Sequence, residues 1–173
     1  CDSRWDMKFL GMQIMVEGLA LGDFTTMRQN TEEPLLRELL KYVITDEARH
    51  VHYGVVSLGN LYKNELGGSE LKEREDWALE MCILLRNRFL AHEFYDEYYA
   101  HVLSRKEWDQ YVLNSKFMKT YRASLFRRLI PNLKRIGLLP DRLRPHYTEL
   151  GLLEFENDLA APDLQAEDLL SSG

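Results

Sequence analysis

The stretch ITDEARH, Ile44–His50, lies inside a segment whose other residues have the spacing of an ordinary amphipathic helix. Glu47 and His50 are three residues apart, so on a helix they share one face. We expect that face to be buried, because it continues a stripe of apolar and small residues: Leu36, Leu40, Val43, Gly54, Ser57 and Leu61. A buried carboxylate or imidazole without a partner is costly, so a compensating group is expected beside them.

A second carboxylate occupies a similar position in the preceding helical segment. Glu17 falls in a stripe with apolar residues at spacings of four and three: Leu10, Ile14, Leu21 and Phe24. Small residues flank it at Gly18, Ala20 and Gly22, which indicates that another backbone or a small molecule such as O2 or substrate comes close. Two neighbouring antiparallel helices are thus each predicted to place a carboxylate on their inner face.

Carboxylate oxygens together with an imidazole nitrogen form a ligand set that suits iron or manganese. Dimetal sites in helical bundles take a Glu from each of two helices and a Glu-x-x-His from each of the other two. Glu17, with Glu47 and His50, provides half of that set, and the sequence contains no second Glu-x-x-His. The alternative interpretation is a surface Glu-x-x-His pair, with the apolar stripe misread by one step.

The segments MVEGLALGDF (15–24) and TDEARHVHYG (45–54) resemble the second half of the ferritin-like dimetal-carboxylate oxidases and oxygenases. This superfamily includes the ribonucleotide reductase small subunit, multicomponent monooxygenase hydroxylases, acyl-carrier-protein desaturases and arylamine N-oxygenases. The resemblance covers roughly residues 5–65. It implies that Glu17, Glu47 and His50 are metal ligands and catalytic residues, with two iron ions, or manganese and iron, as the cofactor.

The same resemblance implies that Asp46 hydrogen-bonds a ligand histidine from the other half of the site, which would orient that ring. The other half is expected either upstream of Cys1 in a longer chain, which we favour, or in a second copy of this chain. Arylamine N-oxygenases carry a further histidine one turn before the last Glu. Val43 stands there in this sequence, which argues against that subfamily.

Helical periodicity extends over most of the chain, and no strand pattern interrupts it. Four long helices are predicted, from about Trp5 to Arg28, Pro34 to Glu65, Glu70 to Ser104 and Tyr111 to Ile136, the last ended or kinked by Pro131. We therefore predict an all-α fold, the second half of a ferritin-like helical bundle with flanking helices. Residues 1–146 are expected to form the bundle, and residues 147–173 an acidic, partly disordered tail.

Composition places the chain among ordinary globular proteins and favours no nucleic-acid partner, since it is 45% hydrophobic and carries a net charge of −6. No apolar run is long enough for a membrane helix. With only Cys1 and Cys82, a disulfide framework is not expected, so we predict a cytoplasmic protein in which Cys82 packs as an apolar group.

Charge is unevenly distributed along the C-terminal third. Between Lys119 and His146 there are eight basic residues and one acid, whereas residues 149–173 contain seven acids and no Lys or Arg. The simpler interpretation is a solvated helix face followed by a frayed tail. The alternative is a basic surface that docks an acidic partner or lipid.

A second group of possible ligands lies in HEFYDEYYAH (92–101), where Glu93, Glu97 and His101 are spaced by four. Mixed aromatic and acidic residues more often mark an exposed helix or a dimer contact, and we favour that interpretation. His52 is expected to be exposed, and Arg49 to pair with Asp23 or Asp46.

Together with these patterns, the resemblance implies a non-haem dimetal oxidoreductase that activates O2 to hydroxylate, desaturate or N-oxygenate a small organic or acyl substrate. An electron donor and a second copy of the chain are its expected partners. The alternatives are a ferritin-like iron-storage or iron-handling protein, and a bundle that has lost its metal and serves as an interaction scaffold.

Overall fold

The computed structural model describes residues 3–170, and all regular secondary structure in that range is helical. The first long helix is α-helical over Trp5–Phe9 (α1), widens into a π-helix over Leu10–Val16, and is α-helical again over Glu17–Asn30 (α2). The second long helix spans Pro34–Asn64 (α3). The two helices predicted to carry the ligands are therefore confirmed almost to their ends.

The remaining chain forms shorter helices around this pair. The α-helices are Gly68–Arg88 (α4), His92–Tyr98 (α5), Arg105–Asn114 (α6), Lys116–Ile136 (α7), Arg144–Glu149 (α8) and Ala166–Leu170 (α9). Single 3₁₀ turns occur at Asp141–Leu143, Leu153–Phe155 and Ala161–Asp163. The predicted fold class, an all-α helical bundle, is confirmed.

Helix α2 is packed between α3 and α7, and this three-helix layer positions the candidate ligands. A Cβ atom on Gly22 would lie 2.5 Å from the backbone oxygen of Ser124 in α7, so only glycine permits this approach. Gly54 plays the same part between α3 and the π-helix, where a Cβ atom would lie 2.7 Å from the Cβ of Gln13. Gly22 thus fixes α2 against α7, and Gly54 fixes α3 against the π-helix that precedes α2.

The prediction of one long third helix from Glu70 to Ser104 is wrong, because α4 ends at Arg88 and the chain folds back on itself. Ala91 adopts a left-handed conformation with φ of 50°, which starts α5 in a new direction. The turn is held by Trp108, whose indole N–H donates a 2.6 Å hydrogen bond to the Leu90 carbonyl. Aromatic residues that suggested a continuous helix instead form a small core of their own around Tyr95 and Trp108.

The fourth predicted helix is divided at Ser115, where α6 ends and α7 begins. Pro131 lies inside α7 and does not end it. It is followed by the buried Asn132, whose amide nitrogen donates to the Arg128 carbonyl at 2.6 Å, and whose amide oxygen accepts from the Ala161 N–H at 2.8 Å. The bond from Ala161 ties α7 to the C-terminal segment.

Residues 147–170 pack on the bundle, unlike the partly disordered tail that we expected from residue 147 onward. Tyr147, Leu152 and Phe155 belong to the same buried cluster as Leu10 and other residues of the bundle. The predicted boundary at residue 146 therefore does not separate this segment from the core. The last residues of the predicted tail, 171–173, lie outside the described residues, as does Cys1.

The basic run between Lys119 and His146 is neutralised largely by the chain itself. Four of its side chains form ion pairs with acids of the C-terminal segment, Arg127 with Asp158, Lys134 and Arg144 with Glu156, and Arg135 with Asp163. Arg128 donates to the Asp168 carbonyl, and Arg142 pairs with Glu75 and Asp76 of α4. Most of the predicted basic surface is therefore occupied within the fold.

Cys82 is fully buried and packs in the apolar core, as predicted. A search of the described helices for one long and apolar enough to cross a membrane finds none.

Candidate metal centre

Glu17 is placed by an unusual piece of backbone. It is the first residue of α2, directly after the π-helix Leu10–Val16. A π-helix has a wider hydrogen-bonding pattern than an α-helix, and such turns are frequently found at functional sites. The π-helix ends directly before Glu17, and no sequence motif predicted it.

Glu47 and His50 lie one turn apart near the middle of α3. Nδ1 of His50 is 3.7 Å from Oε2 of Glu17 and 3.7 Å from Oε2 of Glu47. One possible ligand atom of each residue lies within 4.8 Å of the other two, and this is the one such group found among residues 3–170. The structure thus brings together the three side chains that the sequence singled out.

Neither carboxylate is fully satisfied by the protein. Oε2 of Glu17 and Oε2 of Glu47 are both buried, and no donor among the described residues hydrogen-bonds to either. The distances to His50 are too long for hydrogen bonds. A buried acceptor left in this state costs about 1–3 kcal/mol, which a hydrogen-bond donor or a cation between the three side chains would offset.

The electrostatics of Glu17 follow from this confinement. Burial raises the pKa of its carboxyl above the ordinary value, His50 opposes that rise, and the neighbouring Glu47 carboxylate adds to it. Two carboxylates that face each other repel, and a bound cation would remove both the repulsion and the desolvation penalty. The residues present therefore fit a metal ion through two carboxylate oxygens and one imidazole nitrogen.

The predicted buried stripe of α3 is shifted by one step. The residues of α3 that are buried are Leu40, Ile44, Ala48, Val51, Gly54, Val55, Leu58 and Tyr62. Glu47 and His50 stand at the edge of this face, with side chains 22% and 56% exposed, while that of Glu17 is 17% exposed. The carboxylates are thus partly covered, and the imidazole reaches toward the surface.

Asp46 is exposed and accepts a 2.8 Å hydrogen bond from Arg49, so the predicted ion pair of Arg49 is confirmed with Asp46 as its partner. Asp23 instead accepts a hydrogen bond from the Tyr121 hydroxyl at 2.9 Å. His52 is exposed, as expected. The role of Asp46 toward a ligand histidine stays a prediction.

The small residues after Glu17 do not leave room for O2 or substrate. The space beside Gly22 is occupied by the backbone of Ser124 and Leu125. A Cβ atom on Gly18 would lie 3.7 Å from the Leu129 side chain. Of the two interpretations offered for these residues, the close approach of another helix is the correct one.

The second group of possible ligands is dispersed. Glu93 is exposed and pairs with Arg88, and Glu97 is exposed as well. His101 lies in the turn after α5 ends at Tyr98, so the three residues do not share a helix face. This agrees with the favoured interpretation of an exposed segment.

Two features that join distant residues were missed in the sequence. Asp6 of α1 and Arg74 of α4 form a buried ion pair, with 2.9 Å between Nε and Oδ2. Arg86 of α4 and Arg122 of α7 line one cavity. Both features join residues far apart in the chain, and neither has a local pattern.

Comparisons with known proteins give no matching family model, no matching curated protein and no matching solved structure. The case for the site therefore rests on the residues of α2 and α3 and on their geometry.

Proposed function

We propose that this chain supplies half of a dimetal-carboxylate site in a ferritin-like oxidoreductase that activates O2 and acts on a small organic or acyl substrate. The observation that carries the proposal is the pair of buried carboxylate oxygens, Oε2 of Glu17 and Oε2 of Glu47, that lack hydrogen-bond donors beside His50. Such groups are retained in a protein when a cation completes them.

In this proposal Glu17 and Glu47 bind metal through these oxygens, and His50 binds through a ring nitrogen. Iron, or manganese with iron, supplies the redox chemistry for O2 activation when it is bound. Ile14 and Leu21, one turn to either side of Glu17 and fully buried, limit the access of water. Low local polarity strengthens the attraction between the carboxylates and a cation.

Three ligands are fewer than a dimetal site requires, so the proposal includes further helices that bring the remaining carboxylates and histidine. Support comes from an exposed apolar stripe on α3 beside His50, with spacings typical of a helix-packing seam: Leu35, Leu39, Tyr42, Tyr53 and Val56. An exposed surface of this kind usually marks an interaction site. The source is either an upstream segment of a longer chain or a second copy.

The metal content of the protein tests the proposal most directly. Protein loaded anaerobically with Fe²⁺ and desalted is compared with Glu47→Ala and with Glu38→Gln as a control. Glu38 is an exposed residue of the same helix that pairs with Lys41. We expect iron in the wild type and in the control, and loss of at least nine-tenths of it in Glu47→Ala.

Equal iron in Glu47→Ala and the wild type would refute the site, and a lack of iron in all three would favour the metal-free scaffold. If iron binds, O2 consumption by the reduced protein with an electron donor separates the remaining functions. Repeated turnover supports an oxygenase, whereas a single oxidation that leaves ferric iron in the protein supports iron handling.

A further inference from the structure

Two basic residues of the run between Lys119 and His146 have no acidic partner among the described residues. Lys119 and Arg122 form no ion pair with an acid within residues 3–170, whereas five of the other six basic residues of the run do and Arg128 donates to the Asp168 carbonyl. Arg86 of α4 likewise has no acidic partner there. Arg86 lies in α4, and Lys119 and Arg122 lie one turn apart in α7, yet all three line the same cavity.

The cavity has a volume of about 450 Å³ and lies between α4, α7 and the C-terminal segment. Arg86, Lys119 and Arg122 line it together with apolar side chains that include Phe126, Leu152 and Phe155. Its volume lies within the range of about 300–1,000 Å³ that is typical of small-molecule sites. None of its lining residues belongs to the candidate metal centre.

Arg122 is held here at an electrostatic cost. Its Nε is buried without a hydrogen-bond partner among the described residues, while one terminal nitrogen donates to the Leu113 carbonyl at 3.3 Å. Burial, and then repulsion from Arg86, lower the pKa of the Arg122 guanidinium. Two guanidinium groups that repel each other at the mouth of a cavity are stabilised by an anion between them.

We propose that this cavity binds a monocarboxylate with an apolar tail. The carboxylate would lie between Arg122, Arg86 and Lys119, since guanidinium groups bind carboxylates with two parallel hydrogen bonds. The tail would lie on Phe126, Leu152 and Phe155, away from water. Glu154 is an exposed acid of the lining, and it leaves the three cations in excess.

Isothermal titration of the purified protein with decanoate, below the concentration at which decanoate aggregates, tests the proposal. Acetate presents the head group alone, and decanol the tail alone. We expect one decanoate per chain, with acetate and decanol each binding at least tenfold more weakly. Both halves of the ligand are required, because cations and apolar surface contribute together.

Arg122→Gln and Arg86→Gln are each expected to weaken decanoate binding at least tenfold. Arg127→Gln is the matched control, since it removes the same group from the same helix at an exposed position outside this cavity. It should change the affinity less than twofold. Thermal unfolding checks that the variants fold. If Arg122→Gln does not fold, Lys119→Gln, at an exposed position of the same cavity, is tested in its place.

The proposal is wrong if decanoate gives no saturable binding, if decanol binds as tightly as decanoate, or if Arg127→Gln weakens binding as much as the cavity variants. The metal centre is unaffected by any of these results, because the test uses no metal and no ligand residue of that centre.

Discussion

Two regions of the molecule bury carboxylates, and they do so in opposite ways. Asp6 in α1 is 5% exposed and is paired with Arg74 of α4, itself 2% exposed, through contacts of 2.9 and 3.4 Å. Glu17 and Glu47 are also largely covered, yet each keeps one oxygen without a donor among the described residues. The first pair is completed by the protein, and the second is not.

The difference separates buried charges that the fold itself satisfies from buried charges that it leaves without a hydrogen-bond donor among the described residues. A buried ion pair with good geometry offsets most of the cost of removing its charges from water. Arg74 also donates to Glu73 at 2.8 Å, which leaves little of its hydrogen-bonding capacity unused. At Glu17 the neighbouring imidazole nitrogen of His50 lies 3.7 Å from Oε2, which is too far for a hydrogen bond.

The largest effect is expected at the completed pair. Arg74→Met would leave the Asp6 carboxylate buried without its partner, and we expect a loss of about 3–5 kcal/mol in the free energy of unfolding. Urea denaturation monitored by circular dichroism measures this loss. A double variant, Asp6→Asn with Arg74→Met, should recover part of it, because the uncompensated charge is then absent. A loss below about 1 kcal/mol in Arg74→Met would contradict the assigned role.

Metal addition should act in the opposite direction at the incomplete site. At a free Mn²⁺ concentration one hundred times the dissociation constant, linkage predicts about 2.7 kcal/mol of added stability. Differential scanning calorimetry of the wild type, Glu47→Ala and Glu38→Gln, each with and without Mn²⁺, measures it. We expect a higher melting temperature with metal in the wild type and in Glu38→Gln alone. An equal rise in Glu47→Ala would assign the effect to another site.

The packing that positions Glu17 can be tested at Gly22, between one and two turns further along α2. Gly22→Ala would place a Cβ atom 2.5 Å from the Ser124 carbonyl oxygen and 2.8 Å from the Leu125 Cα. Helices α2 and α7 would have to separate, at a cost of about 1–3 kcal/mol. Gly68→Ala is the control, since a Cβ atom there meets nothing within 4 Å. Equal stability of the two variants in urea would show that this contact does not fix α2.

The smallest effect concerns the charge of Glu17 in the metal-free protein. Because the pKa of Glu17 is raised above 4.5 in the folded state, its stabilising contribution is present at low pH and is lost as pH rises through the raised value. Glu17→Gln lacks this loss. We expect the variant to be more stable than the wild type at pH 7 by about 1 kcal/mol, or roughly 2–4 °C in melting temperature.

Melting temperatures of the metal-free wild type and Glu17→Gln, measured from pH 4 to pH 7, should converge at the acid end of the series. With Mn²⁺ present the order at pH 7 should reverse, because only the wild type retains both carboxylate ligands. If the two proteins differ equally at every pH, the carboxyl of Glu17 does not titrate as its burial implies.

Periodicity and capping predicted helices α2 and α3 well, because both are long, amphipathic and separated by a clear break. The same reasoning placed Glu47 and His50 on one helix face, since residues three apart share a face, whereas the approach of Glu17 to them depends on how α2 packs against α3. It misplaced the buried face of α3 by one step, because Val43 and Ser57 are compatible with either side. It also joined α4 and α5, since the left-handed turn at Ala91 has no glycine to mark it.

The amino-acid sequence by itself therefore determined the helical class and the residue stripe on which each possible ligand lies, because each of these depends on spacings within a single helix. Only the tertiary structure decided that Asp6 is neutralised by Arg74, that the acidic C-terminal segment neutralises most of the basic run, and that Arg86 meets Arg122 over an apolar cavity. These contacts join residues many positions apart, and which charges find partners across such distances depends on how the helices pack.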